Sequence, residues 1–350
     1  MAGLEVVVRR STLVLACVLF AANAGAQAPD RSDAQVDRNS PPPTTSTPAK
    51  NTTPATTFRS GVDLVALNVV VTDGDQKYVG GLTPTDFAVY EDGIQQDVSF
   101  FGASEVPLDL AILLDTSASM TGKMALVQQA AIGFLATLRS ADRVTVVDIK
   151  DATRVMFPLG DDLTAAKSAI LATSPRGGTA LYNGAYLTLK ELAKARRLNI
   201  EVRRQAIVVL SDGDDTASLI SYDDLMDLAK ESGIAIYTIT LRSKYLVTQA
   251  QQRGHSYFSQ SEYGMKALAQ ETGARSYFPA EISELAGVYS SIAEELAKQY
   301  AIAYSSKNPR QDGAYRRVIV RVADKPGIRT RTRAGYTAPR AQRTASTSTH

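Results

Sequence analysis

The chain has 350 residues, with 38 Lys and Arg against 36 Asp and Glu and a formal charge of +2, too near neutral for a protein that holds nucleic acid by bulk charge. One Cys and two His exclude a disulfide framework, a Cys/His zinc site and a Cys nucleophile with a choice of bases. At 44% hydrophobic and 21% charged residues, the composition is that of a globular protein with a sizeable core.

Residues 1–26 read as an export signal. Arg9 and Arg10 precede the apolar run Leu13 to Ala22, and Ala24-Gly25-Ala26 supplies the small-x-small pattern of a signal-peptidase site. The run is too short for a mature anchor, so no stable membrane span is expected after cleavage. The lone Cys17 lies inside it, and cleavage after Ala26 leaves a chain without cysteine, which suits an oxidising compartment. The expected location is the periplasm, the cell surface or the medium. Residues 27–57 hold six Pro, seven Thr and three Ser with no aromatic residue; such a segment cannot offset its ordering entropy and reads as a disordered linker. Residues 338–350 are similar in composition and read as a disordered tail.

From residue 58 to residue 105 the pattern is all-β. Val65, Leu67, Val69 and Val71 form an alternating run, as do Phe87 and Val89, and the runs are separated by Asp73-Gly74 and Asp92-Gly93 turns. From 106 to 299 strand and helix patterns alternate. Leu108 to Leu114 is a strand apolar at every position but Asp109, Met120 to Leu138 has helical spacing, and Arg143 to Ile149 is a strand with a hairpin partner at Arg154 to Leu159. Helices are expected at Thr164 to Leu171 and Leu181 to Ala195, followed by a fully apolar strand at Ala206 to Leu210. Tyr222 to Ser232 is helical, Ile234 to Leu241 a strand, Met265 to Thr272 helical, Arg275 to Phe278 a short strand and Ile282 to Gln299 a closing helix. Apolar strands separated by amphipathic helices specify a doubly wound, mostly parallel α/β sheet covered on both faces.

Residues 300–337 return to an all-β pattern. Tyr300, Ile302 and Tyr304 alternate, a turn runs through Asn308 to Gly313, Val318, Val320 and Val322 alternate again, and after Lys325-Pro326-Gly327 a last strand starts from Ile328. Neither flank is large enough for its own core. Residues 58–105 carry a net charge of −6 and residues 300–337 one of +7, so opposite fields favour their docking. The expectation is therefore an α/β domain inserted into a small β-sandwich built from both flanks.

The chemistry gathers where apolar strands end. The first runs into Asp115-Thr116-Ser117-Ala118-Ser119, which presents a carboxylate and two hydroxyls at alternate positions. Arg176-Gly177-Gly178-Thr179 precedes a helix, its glycines permitting close backbone approach and its Thr adding a hydroxyl. Leu210-Ser211-Asp212-Gly213 ends the other apolar strand with a second carboxylate, and the Asp214-Asp215 pair after it reads as a solvated turn. All three segments fall at the carboxyl edge of one sheet, where open α/β folds bind ligands.

This D-x-S-x-S … T … D pattern resembles the metal-ion-dependent adhesion site (MIDAS) of the von Willebrand factor A family, over about residues 106–299. The resemblance implies that Asp115, Ser117, Ser119, Thr179 and Asp212 hold a metal, the hydroxyls directly and the aspartates directly or through water. The flanking Gly81-Leu82-Thr83-Pro84-Thr85-Asp86-Phe87 … Glu91-Asp92-Gly93 and the strands from Tyr315 to Tyr336 resemble an exported subgroup known mainly from acidobacteria. Oxygen-only ligands select a hard cation, Mg²⁺ with Mn²⁺ or Ca²⁺ as substitutes. With two carboxylates at most, the ion keeps positive charge for an Asp or Glu carboxylate donated by a protein partner.

An enzyme is not expected. There is no G-x-S-x-G, H-E-x-x-H or G-x-x-x-x-G-K-[ST], and Gly122-Lys123 lacks the upstream glycine of the last. His255 lies in a polar stretch that reads as a loop, and His350 in the tail. The alternative to metal-dependent adhesion is an envelope scaffold with a non-essential metal site. It would bind through the sandwich or through Arg329, Arg331 and Arg333, which alternate along the last strand.

Overall fold

The computed structural model describes residues 64–103, 106–198, 201–212, 214–242, 248, 252, 259–323 and 327–340. The expected export signal, the linker, His255, and residues 341–350 of the expected tail lie outside them.

The N-terminal flank forms β1 (Leu64–Thr72), β2 (Phe87–Glu91), β3 (Ile94–Gln96) and β4 (Val98–Gly102). The central segment follows with β5 (Leu108–Asp115), α1 (Met124–Leu135), β6 (Arg143–Ile149), β7 (Arg154–Gly160), α2 (Leu163–Leu171), α3 (Leu181–Leu198) and β8 (Arg204–Ser211). It continues through α4 (Tyr222–Ser232), β9 (Ala235–Thr240), α5 (Gln260–Glu271), β10 (Ser276–Tyr277) and α6 (Leu285–Lys298). The C-terminal flank adds β11 (Tyr300–Ser305), β12 (Tyr315–Val322), β13 (Arg329–Arg331) and β14 (Gly335–Thr337).

Six strands build the central sheet in the order β10-β9-β8-β5-β6-β7, parallel except for the edge strand β7. Every residue of β5 and β8 is buried, as the apolar runs Leu110 to Leu114 and Ala206 to Leu210 require of strands covered on both faces. Their side chains divide by alternation. Leu110, Ile112, Leu114, Ala206, Val208 and Leu210 pack with α1, α2 and α6 through residues such as Val127, Ile170 and Ile292. Ala111, Leu113, Ile207 and Val209 pack on the other face with α3, α4 and α5 through Leu189, Leu225 and Leu268.

The flanks combine into two four-stranded sheets, ordered β13-β1-β11-β4 and β14-β12-β2-β3. Each sheet therefore draws strands from both sides of the central segment. Antiparallel pairing sets Leu67 opposite Ile302 and Val89 opposite Val320, so the alternating apolar residues of both flanks share one core with Phe87, Tyr300 and Tyr336. The opposite charges also meet, through Arg316 with Glu91 at 3.4 Å and Lys307 with Asp97 at 3.0 Å.

Local chemistry accounts for the differences from the sequence reading. Asp92 and Gly93 both have positive φ, at 48° and 85°, which makes Asp-Gly the two-residue turn between β2 and β3. In the loop at Asp73 the left-handed residue is instead Gln76, with Asp73 Oδ1 accepting the N–H groups of Asp75 and Lys77 at 2.9 Å each. Helix α1 begins at Met124 rather than Met120, because residues 118–120 form a 3-10 turn and Gly122 takes φ 84°. Helix α5 begins before Met265, at a capping box in which Ser259 Oγ accepts the Glu262 N–H at 3.1 Å and Glu262 Oε2 accepts that of Ser259 at 3.0 Å. The sandwich runs past residue 337: Ala338 is buried and donates its N–H to Ala314 O at 2.9 Å, and Arg340 bridges to Asp312.

The basic stripe needs a correction. Arg331 turns to Glu295, at 2.6 Å, and to the carbonyl of Gly273. Arg333 is buried over the Tyr336 ring, where desolvation lowers its guanidinium to about 10. Of the three, only Arg329 is exposed, and the expected single strand stops at Arg331, so that Arg333 lies between β13 and β14; alternation in the sequence says neither where a strand ends nor what covers its face.

Candidate metal centre

Strands β5 and β8 are neighbours at the middle of the central sheet, with Leu114 opposite Leu210. After β5 the chain builds β6 and β7 on one side, then returns to β8 and builds outward on the other, so the ends of β5 and β8 flank the reversal point of the winding. At that point β5 ends in Asp115 and β8 in Ser211, with Asp212 next.

Asp115 is fully buried. Its Oδ1 accepts the Ser117 N–H at 2.9 Å and its Oδ2 accepts the Ser211 hydroxyl at 2.6 Å. The Ser117 and Ser119 hydroxyls lie 2.9 Å apart, and Ser119 Oγ donates to Asp212 Oδ1 at 2.7 Å. Four of the five expected residues are thus joined in one polar path across two strand ends. Burial pushes the Asp115 carboxyl up from its ordinary value; hydrogen bonds from Ser117 and Ser211 pull it down, and the nearby Asp212 carboxylate adds to the rise. Ser117 is buried whereas Ser119 is exposed, so the path runs from the interior to the surface.

Thr179 arrives by the adjoining loop and is buried. The loop is joined to the D-x-S-x-S segment by its backbone, Ala118 N–H donating to Gly177 O at 3.0 Å and Arg176 N–H to Thr116 O at 2.8 Å. Thr216 holds Thr179 from the other side, accepting its N–H at Oγ1 at 2.9 Å and donating an N–H to its carbonyl at 2.8 Å. Gly177 has φ 70°, and a Cβ on it would collide with the Asp151 carboxylate. Asp151 Oδ1 also accepts the Gly178 N–H at 2.5 Å. The Gly-Gly pair is therefore needed for close approach, as its sequence suggests.

Four participants were not legible as such. Ser211 anchors Asp115, Asp151 cradles the glycines, Thr216 fastens Thr179, and Lys123 Nζ bonds Oδ2 of Asp212. Asp215 is more than part of a solvated turn: it accepts the N–H groups of Tyr182 and Ser218 at 2.8 and 2.9 Å and the Ser218 hydroxyl at 2.6 Å. An Asp followed three residues later by Ser is a readable sign of such a loop. Asn183 continues this work, its Oδ1 accepting the N–H groups of Leu219 and Ile220.

The five candidate residues offer two carboxylates and three hydroxyls, all hard oxygen donors that fit Mg²⁺, Mn²⁺ or Ca²⁺ rather than a soft metal. Among the described residues no group of three or more His, Cys, Asp or Glu is placed to hold a metal ion, and none of their helices is long and apolar enough to cross a membrane.

A family model for the von Willebrand factor type A domain matches residues 109–289. Among solved structures, a von Willebrand factor type A protein from Catenulispora acidiphila is similar over 81% of this chain and 76% of that one, at 12% identity and a TM-score of 0.44. Proximal thread matrix protein 1 of the mussel byssus, solved with a zinc-occupied MIDAS motif, is similar over 59% of this chain at 14% identity and a TM-score of 0.44; the match spans 49% of the mussel protein. BatB from Bacteroides thetaiotaomicron is similar over 54% of this chain and 97% of its own, at 17% identity and a TM-score of 0.41. No curated protein sequence matches the chain.

Proposed function

The chain belongs to the von Willebrand factor type A domain family, and we propose that it is an exported, non-enzymatic protein that holds a protein partner through a divalent cation at a MIDAS of Asp115, Ser117, Ser119, Thr179 and Asp212. The observation that carries this reading is the polar path from Asp115 through Ser117 and Ser119 to Asp212. The flank motif beginning at Gly81 supports membership of the exported, acidobacterial-type subgroup.

When bound, Mg²⁺, or Mn²⁺ or Ca²⁺ in its place, supplies a Lewis-acidic position that accepts an Asp or Glu carboxylate from the partner. The chain's own residues set its charge. Three neutral hydroxyls and two carboxylates make the loaded site formally neutral, so the ion can still take a further anion, whereas three or more carboxylates would make it net negative and repel one. Ser211 holds the Asp115 carboxylate in place, and the exposed Ser119 marks the side from which a partner approaches. Both carboxylates are engaged by hydroxyl, backbone or ammonium donors, so neither is a free general base, which argues against hydrolysis.

A pull-down on the immobilised mature chain tests the reading. Retention of exported proteins should be lost in EDTA and restored by Mg²⁺. Retention that survives EDTA and weakens only with salt would favour the envelope scaffold instead. The inward turn of Arg331 and Arg333 counts against that scaffold's basic strand.

A further inference from the structure

Lys123 closes the polar path at its outer end. Its Nζ bonds Oδ2 of Asp212, whose side chain is only 3% exposed while that of Lys123 is 39% exposed. The lysine stands just ahead of α1, after the turn that carries Ser119 and the left-handed Gly122. One short segment therefore brings to Asp212 both a hydroxyl, on Oδ1, and an ammonium, on Oδ2.

A buried carboxylate must be paired, and here its partner is a positive charge built into the chain. A divalent cation that uses Asp212 meets that charge on the same carboxylate, and the two cations repel. Lysine suits an exchange: its charge sits on a flexible, half-exposed stem that can return to water without unfolding anything.

On the metal-site reading above, we propose that Lys123 is an intramolecular competitor for the divalent cation at Asp212. The ammonium neutralises the carboxylate when free metal is scarce and gives way when the cation enters, so Lys123 sets the metal concentration at which the adhesion site fills.

Calorimetric titration of MgCl₂ into the full mature chain tests this with the wild type, Lys123→Met and Lys123→Arg. Lys123→Met keeps the length of the side chain and removes the charge. It should bind Mg²⁺ about tenfold more tightly, the order expected for a unit charge repelling a divalent ion across a half-exposed surface. Lys123→Arg keeps the charge and should stay near wild type. Without added metal Lys123→Met should melt below wild type, and Mg²⁺ should raise its Tm by more. Binding by Lys123→Met where the wild type shows none would support competition in its strongest form. Equal affinities overturn the competition and leave the metal site standing. Weaker binding by Lys123→Met also overturns it, because the ammonium would then be holding Asp212 ready for the metal. Silence from the wild type and every variant removes the metal site, and the competition with it.

Discussion

The hydroxyl of Ser119 donates a 2.7 Å hydrogen bond to Oδ1 of Asp212, joining residues 93 apart in the chain. Together with the Lys123 ammonium on Oδ2, it closes the loop after β5 onto the end of β8. Because Ser119 is exposed, its loss should cost the fold little, about 1 kcal/mol for one hydrogen bond. As a metal ligand it should matter more. Ser119→Ala is expected to melt close to wild type while its Mg²⁺ affinity falls about tenfold, the effect of about 1.4 kcal/mol of lost coordination. Calorimetry beside a melting curve separates the two effects, and an unchanged affinity would remove Ser119 from the site.

Gly177 is poorly placed to take a side chain. Its φ is 70°, and a methyl group there would overlap the Asp151 carboxylate, so Gly177→Ala strains the backbone and displaces Asp151 together. The expected cost is about 1–3 kcal/mol, read from urea denaturation. Since the same loop carries Thr179, Mg²⁺ binding should weaken as well. Full stability in the variant would show that the loop is not held as described.

Glu295 joins three parts of the molecule. Fully buried on α6, it accepts the Tyr237 hydroxyl at 2.7 Å and that of Tyr78 at 3.3 Å, and it pairs with Arg331 at 2.6 Å and Arg275 at 3.3 Å. Tyr78 comes from the N-terminal flank and Arg331 from the C-terminal flank, so one carboxylate ties the sandwich to the α/β sheet. Burial pushes the Tyr237 hydroxyl well up, and the Glu295 charge pushes it further. Glu295→Gln keeps the shape and leaves two guanidinium groups without their counter-charge. A loss of about 3 kcal/mol is expected in urea, the low end for breaking a buried pair because both arginines are part exposed. A loss below about 0.5 kcal/mol, the size of a surface change, would contradict the coupling.

Asp142 supplies a pH-dependent test. Burial would raise its carboxyl, but the side chain and N–H of Arg139 and the N–H of Leu108 outweigh burial and hold it below the ordinary 3.8. A folded-state value below the unfolded one stabilises the protein at pH above about 4, and the contribution is lost as the pH falls through the lower folded value. Asp142→Asn should therefore be about 1 kcal/mol less stable than wild type at pH 7. The gap should close as the pH is lowered from about 4 toward the folded value. Denaturation midpoints across that range check it, and a constant gap would contradict the assignment.

Much of this is legible in the sequence because periodic burial leaves a trace there. The apolar runs Leu110 to Leu114 in β5 and Ala206 to Leu210 in β8 mark central parallel strands, and the alternation at Val65 to Val71 and Val318 to Val322 marks half-buried ones. The D-x-S-x-S spacing is readable because its residues share one short loop. What escapes depends on partners far along the chain. Lys123 meets Asp212 across 89 residues and Asp151 meets Gly178 across 27, and no local pattern carries either contact. Arg331 and Arg333 mislead for the opposite reason: their spacing in the sequence is plain, but β13 ends at Arg331, and what covers both side chains is set by tertiary packing. The start of α5 is written locally at Ser259 and Glu262, in capping residues that apolar periodicity alone does not register.

Metal binding at Asp115 underlies the proposed function, and calorimetric titration of MgCl₂ into the wild type and Asp115→Ala, both checked for folding by circular dichroism, measures it most directly. Saturable, one-to-one binding at millimolar Mg²⁺ is expected of the wild type and none of the variant. No heat from either the wild type or Lys123→Met, or the same binding curve from the wild type and Asp115→Ala, would contradict a metal centre at Asp115.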